Sequence, residues 1–189
     1  MKKKLTEMTL EELWQLFPIY LTEYQLCWKA WFDEEKELLS GILPPGVKIH
    51  HIGSTAVGTI WAKPIVDILV EVPVGSDLSA YKTQITGLGY LCMAESEKGL
   101  SFNKGYTEQG FAERVFHLHL RYAGDNAELY FRDYLIDHAD TAQAYERLKL
   151  SLWKEYEFDR DGYTNAKTEF VQIYTKAGMR LYGNRYNPA

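Results

Sequence analysis

A chain of 189 residues that is 46% hydrophobic and 25% charged is long enough to bury a sizeable core, and its composition excludes a disordered or fibrous protein. Its formal net charge of -5 argues against broad nucleic-acid binding, which requires a basic field along the phosphate backbone. No apolar run reaches the length of a bilayer span, and Glu7, Glu11 and Glu12 interrupt the apolar core a signal peptide would need, so a cytoplasmic protein with no membrane partner is expected.

In chain order, Thr9 to Glu12 fits a T-x-x-E capping box and predicts a short helix that stops near Pro18. From Thr22 to about Leu43, Trp28, Trp31, Phe32, Glu35, Leu38, Leu39 and Ile42 recur at helical spacing, and Pro44-Pro45-Gly46 ends the pattern. Cys27 and Cys92 stand in no C-x-x-C or zinc-finger spacing and are expected as two buried free thiols. An apolar strand carrying Val47, Ile49 and Ile52 then breaks at Gly53-Ser54, and the most hydrophobic run of the chain follows from Ile65 to Val72. Leu78 to Thr86 reads as a helix and Tyr90 to Ala94 as a strand, with another over Ser101 to Lys104 and loops at Gly99, Gly105 and Gly110. Arg114 to Tyr122 alternates, placing Val115, His117, His119 and Arg121 on one face and Phe116, Leu118 and Leu120 on the other. From Asn126 onward the period is helical through three segments. This order predicts an α+β fold: a mixed sheet flanked by helices, with a C-terminal helical segment. The expected organisation is one domain over 1–189, with a core at about 22–124 and a helical annex at 125–182.

Three groups of residues could carry chemistry. A glycine-serine turn after a buried strand, Gly53-Ser54 with Thr55 following, frees backbone N–H groups that can hold phosphate; a plain structural turn is the competing reading. A Walker loop is excluded, because Thr59-Ile60 stands after Gly58 where Lys-Ser/Thr is required. Asp67 lies inside the apolar run, where a carboxylate needs a cation, a metal or several donors. Glu71 shares its face but sits roughly 13 Å along the strand, too far to grip the same ion, and is expected to be solvated. His117 and His119 share a face roughly 7 Å apart and could converge on one metal or phosphate, or simply be a hydrogen-bonded pair. With Asp67 on a neighbouring strand they would form a mixed nitrogen-oxygen metal site. His50 and His51 point to opposite faces, so at most one joins. Lys63, Arg132, Lys149 and Lys167 are cations that could hold a polyphosphate if the helical segment folds over the sheet; solvated charge is the alternative for each.

The string HIGSTAV…AKPIVDILV, followed by HLH, FRDYL, Y-x-x-L-K and Y-T-x-x-K, is similar to the GrpB-like family, whose members resemble the minimal nucleotidyltransferase fold. The resemblance runs from about Trp28 to Ala177 and implies a nucleotidyltransferase-like mixed sheet followed by helices. It further implies that Gly53, Ser54 and Thr55 face phosphate and that Asp67 is the first of two acids holding divalent ions. Leu69 occupies the second acid position, where an apolar side chain cannot ligate a metal. The expectations are therefore a protein that binds a nucleotide or other phosphorylated small molecule, with a divalent metal (magnesium, manganese or zinc) at Asp67, His117 and His119, and that transfers a nucleotidyl group to a small acceptor. The alternatives are an inactive nucleotide-binding or protein-interaction module, marked by Leu69, and a metal-dependent hydrolase built on Asp67, His117 and His119.

Overall fold

Thr9 caps the first helix in the way its motif predicts: Thr9 Oγ1 accepts the Glu12 N–H at 3.2 Å, and the Glu12 carboxylate accepts the Thr9 N–H at 2.8 Å. The structure is a computed structural model and describes residues 3–187. Helix α1 spans Leu10–Leu16 and helix α2 spans Cys27–Ile42. The second helix starts five residues later than its periodicity suggests, because Thr22 is held extended by two backbone hydrogen bonds exchanged with Ala62, at 2.9 and 3.0 Å. It stops where Leu43 turns extended ahead of Pro44, as a residue before proline must.

Five strands follow the helix: β1 (Lys48–Ile52), β2 (Val66–Val72), β3 (Leu91–Ser96), β4 (Gly99–Thr107) and β5 (Gly110–Tyr122), with helix α3 (Leu78–Gly87) between β2 and β3. They form one mixed sheet in the order β1-β2-β5-β4-β3, in which only the central pair, β2 and β5, is parallel. Three helices close the chain: α4 (Ala127–Asp137), α5 (Ala139–Trp153) and α6 (Arg160–Tyr182). The α+β expectation holds.

Strand alternation decides which layer each side chain enters. Val66, Ile68, Val70 and Val72 of β2 and Phe116, Leu118 and Leu120 of β5 point to one face, where they pack with Trp28, Phe32 and Leu39 of α2 and Tyr81 and Ile85 of α3. Each such side chain contributes about 1.5–3 kcal/mol on burial, so this layer is the main stabilising core. Asp67, Leu69 and Glu71 point to the opposite face, toward the C-terminal helices. Leu69 packs there with Ile52 and Leu129, while a separate cluster of Val57, Ile60, Leu135, Ala142 and Tyr145 joins the 54–60 segment to α4 and α5.

Three expectations need correction. Neither cysteine is buried: Cys27 opens α2 on its outward side and is exposed, and Cys92 lies half-buried on the edge strand β3. Glu71 is not solvated but 3% exposed, because the loop after β5 closes over it. Its Oε1 accepts the Gly124 N–H at 3.0 Å and the Asn126 side-chain amide at 2.9 Å, and its Oε2 lies 2.9 Å from His50 Nε2. Burial works to raise the Glu71 pKa, but these donors outweigh it and hold the carboxyl below its ordinary value. Gly99, Gly105 and Gly110 are not loop markers. Gly99 and Gly110 open strands, and Gly105, at φ +89°, sits inside β4 at a shift of register between Lys104 and Tyr106.

Candidate functional site

The parallel pairing of β2 with β5 sets Asp67 directly opposite His117 and Leu69 opposite His119. Paired residues share a face, so the register brings Asp67 and both histidines to the wall of a cleft of about 600 Å³ between the sheet and α4–α6. Gly53, Ser54, Thr55 and Lys63 line it from the loops around β1 and β2, and Tyr145, Lys149, Tyr163 and Lys167 from α5 and α6.

Asp67 is built in tightly. Its Oδ1 lies 3.3 Å from His117 Nδ1, and its Oδ2 packs against the backbone of Gly53. Burial alone would raise the Asp67 pKa, but the His117 imidazole, with lesser contributions from His119 and Lys63, overcomes it and keeps the carboxylate ionised. His117 Nε2 is in turn 2.7 Å from the Tyr106 hydroxyl, and Arg160 Nη1 donates to that hydroxyl oxygen at 2.9 Å. Guanidinium can only donate, so the Tyr106 oxygen accepts from Arg160 and its own proton is free for His117 Nε2; in that tautomer the imidazole proton is on Nδ1, facing Asp67. Both nitrogens of His117 are thus engaged. His119 is half-buried, and burial lowers its pKa, so its imidazole is neutral at pH 7.

Tyr106 reaches this chain only through the register shift. Asn103 pairs with His117 and shares its face, and strict alternation would send Tyr106 to the other face with Lys104. The irregularity at Gly105 reverses that alternation, re-aiming the ring as bulges do. Neither Tyr106 nor Arg160 is marked in the sequence as a partner of His117; a glycine inside an alternating strand was the available signal.

The lysines converge from three segments. Lys149 is 2% exposed; its Nζ donates to Ser54 Oγ at 3.1 Å and to the Trp61 carbonyl. Lys63 and Lys167 both stand over the Tyr163 ring, 5.6 and 4.1 Å from its centre. Burial pulls the pKa of Lys63 down to about 8, with the Arg160 charge adding to the effect. Lys149 and Lys167 fall to about 7, again chiefly through burial, with neighbouring lysines adding repulsion. Among the described residues none of the three pairs with a carboxylate within 4.0 Å. Glu146, the acid facing Lys149, accepts the Trp61 N–H at 2.6 Å.

Two expected members stand differently. Arg132 does not line the cleft: it donates to the His51 carbonyl at 2.9 Å, to Asp133 and to Tyr186 Oη, tying α4 to β1 and the chain's end. The Thr55 hydroxyl is buried against the Ile65 carbonyl and His51 Nε2, so only its backbone is free to face a ligand. His51 itself stacks on Phe32, and burial lowers its pKa to about 4.

A pair of resident divalent ions finds no matching donor set. Leu69, at the second acid position, is fully buried in an apolar cluster, and among the described residues no three His, Cys, Asp or Glu side chains are grouped so as to hold a metal ion. What the cleft offers is the Asp67 carboxylate, the His119 imidazole and the amines of Lys63, Lys149 and Lys167, with Glu128 and Lys176 also on its lining.

The family model described as GrpB protein matches residues 18–177. The UPF0157 protein YqkA of Bacillus subtilis is 31% identical over 97% of this chain, which spans 55% of that relative's length. The crystal structure of conserved protein GrpB from Enterococcus faecalis superposes with a TM-score of 0.73 at 31% identity, covering 86% of this chain and 99% of that one. The Cid1 poly(U) polymerase bound to MgGTP superposes with a TM-score of 0.50 at 10% identity, over 75% of this chain and 44% of that one. At that identity the likeness bears on the fold alone, which is nucleotidyltransferase-like.

Proposed function

The chain belongs to the GrpB family, and from that premise we propose that it binds a nucleotide or other phosphorylated small molecule in this cleft and transfers a nucleotidyl group to a small acceptor in the cytoplasm. The observation that carries the reading is the convergence of Lys63, Lys149 and Lys167 with the Gly53-Ser54 turn and Asp67 on one cleft. Ammonium groups without carboxylate partners in a half-buried cleft favour a multiply charged anion, since its arrival restores their protonation. The cation and turn donors would hold the leaving phosphates, while the acceptor approaches from the His119 side. The new bond forms between an acceptor oxygen and the α-phosphorus as the bond to the bridging oxygen breaks and pyrophosphate leaves. The neutral His119 imidazole takes the acceptor's proton. A divalent ion enters this reading with the nucleotide, as part of the substrate; no resident pair is proposed, and no step above is assigned to a metal.

A screen of labelled nucleoside triphosphates, with magnesium, manganese or zinc, tests the proposal. Binding of at least one nucleotide and loss of transfer in His119→Ala are expected; failure of every nucleotide to bind, or full activity in that variant, would remove it. The buried Leu69 favours a second reading, a nucleotide-binding module without transfer, which predicts binding with no turnover in the same screen.

A further inference from the structure

Tyr163 is 1% exposed, lines the cleft, and its hydroxyl has no hydrogen-bond partner among the described residues. A buried hydroxyl is rarely left without a partner, so an unpartnered one on a ring that lines the cleft marks a place where a ligand oxygen belongs. Lys63 and Lys167 lie over the ring of this tyrosine, within 5.6 Å of its centre. Lys149 and Ser54, joined at 3.1 Å, stand on the same cleft, and the ring of Tyr145 flanks Lys149 at 4.9 Å. With Lys176 also on the lining, the cations come from the loop before β2, α5 and α6, whereas among the described residues the carboxylates that line the cleft are Asp67 and Glu128.

Resting on the phosphate-binding reading above, we infer that the cleft takes an unbranched oligophosphate, two or three phosphates long, directly on Lys63, Lys149, Lys167 and the Ser54 and Tyr163 hydroxyls, without a divalent ion to bridge ligand and protein. The lysines would do electrostatically what paired acids and metals do at a two-ion site, where the protein's own carboxylates must be neutralised before a phosphate can approach. Here the fully buried Leu69 and the absence of a metal-holding cluster among the described residues leave little acid to neutralise, and the ammonium groups meet the ligand's charge themselves.

The test is a calorimetric titration of the full chain with orthophosphate, pyrophosphate and tripolyphosphate, in chelator and again in excess magnesium. Expected are affinity rising with phosphate number and tripolyphosphate binding in chelator within about threefold of that in magnesium. Lys149→Met and Lys167→Met should each weaken tripolyphosphate at least tenfold, and Tyr163→Phe a few-fold. Lys98→Met, in the exposed turn between β3 and β4, should leave it unchanged. Lys149 is buried, so thermal unfolding of each variant is followed in parallel; Lys167, half-exposed on α6, keeps the test decisive if the Lys149 variant does not fold. Tripolyphosphate binding that needs magnesium, or that is indifferent to the lysine variants, would overturn the inference. Metal-loaded nucleotide binding with none in chelator would overturn it and leave the proposed function standing, whereas tripolyphosphate binding with no nucleotide bound would uphold it and remove the nucleotide.

Discussion

Gly53 lies so close to Asp67 that a Cβ at residue 53 would overlap Asp67 Oδ2 and stand 3.1 Å from Asp67 Cβ and Cγ. Its backbone also holds φ at +71°, a region that side chains other than hydrogen disfavour. The glycine of the turn is therefore required twice, by the turn itself and by the carboxylate it abuts. Gly53→Ala should lose about 1–3 kcal/mol in urea unfolding, the usual range for a residue forced into such a conformation. The two causes separate in a double-mutant cycle: in an Asp67→Ala background the same substitution should cost less, since part of the overlap is gone. Equal costs in both backgrounds would assign the requirement to backbone conformation alone.

His117 depends on Tyr106 for its tautomer. With Arg160 donating to the Tyr106 oxygen, the phenol proton is free to point at Nε2, and in that tautomer Nδ1 carries the imidazole proton toward Asp67. Nitrogen NMR of the labelled protein should show the Nδ1–H tautomer of the His117 imidazole in preference to the Nε2–H one. Tyr106→Phe should mix the two tautomers and cost about 1 kcal/mol of stability, the net worth of one hydrogen bond. An unchanged spectrum in the variant would mean that Asp67 alone orients the ring.

Much of this arrangement is visible in the linear chain, and the rest is not for identifiable reasons. Alternation places Asp67 on the face opposite the valines and His117 with His119, and both placements hold. That these faces coincide depends on the parallel pairing of β2 with β5, two strands separated by α3, β3 and β4, which local pattern does not specify. Tyr106 is hidden by a register shift that reverses its face. Tyr145 and Tyr163 read as stripes of amphipathic helices, and they are that, yet the same rings line the cleft beneath the lysines. Arg132 and Lys149 look alike in sequence as cations on helices; what separates them is that Asp133 and Tyr186 engage Arg132, while the acid facing Lys149 is occupied by a backbone N–H. Glu71 is misread as solvated because its partners, Gly124 and Asn126, lie more than fifty residues on and come to it only when β5 ends.

Glu71 and Asp67 share a strand face but differ in task, and their substitutions should separate accordingly. Removing the Glu71 side chain leaves the Gly124 N–H and the Asn126 amide without an acceptor in a buried place, at a cost of about 1–3 kcal/mol. Glu71→Ala should therefore lower the unfolding midpoint while leaving tripolyphosphate affinity unchanged under conditions where the variant is folded. The folded Glu71 pKa lies below its ordinary value, so its contribution is present above the unfolded pKa and is lost as pH falls through the folded one. The wild-type protein should accordingly lose more stability on acidification than the variant. Equal acid sensitivity would show that the carboxylate is not what the loop after β5 is fastened to.

The lysines give a slope of the same sign at higher pH. Lys149 and Lys167 have an ordinary pKa of 10.5 and, in the fold, one of about 7, set by burial and by each other's neighbours: Lys63 from the loop before β2, Asp67 from β2 and Glu146 from α5. Between pH 7 and 10.5 the unfolded chain therefore binds more protons than the folded one, and the stability of the ligand-free protein should rise with pH across the lower part of that window. Carboxylates have finished titrating there and histidines nearly so, which leaves the lysines to set the sign above about pH 7.5. Anion binding runs the other way, because an oligophosphate prefers the charged ammonium groups. Its affinity should fall by on the order of tenfold per pH unit for each proton taken up. Titration in buffers of different ionisation enthalpy should show net proton uptake at pH 8 and little at pH 6, and Lys167→Met should reduce the uptake at pH 8. Binding that is independent of pH from 6 to 9 would mean that the lysines are already fully charged in the ligand-free cleft.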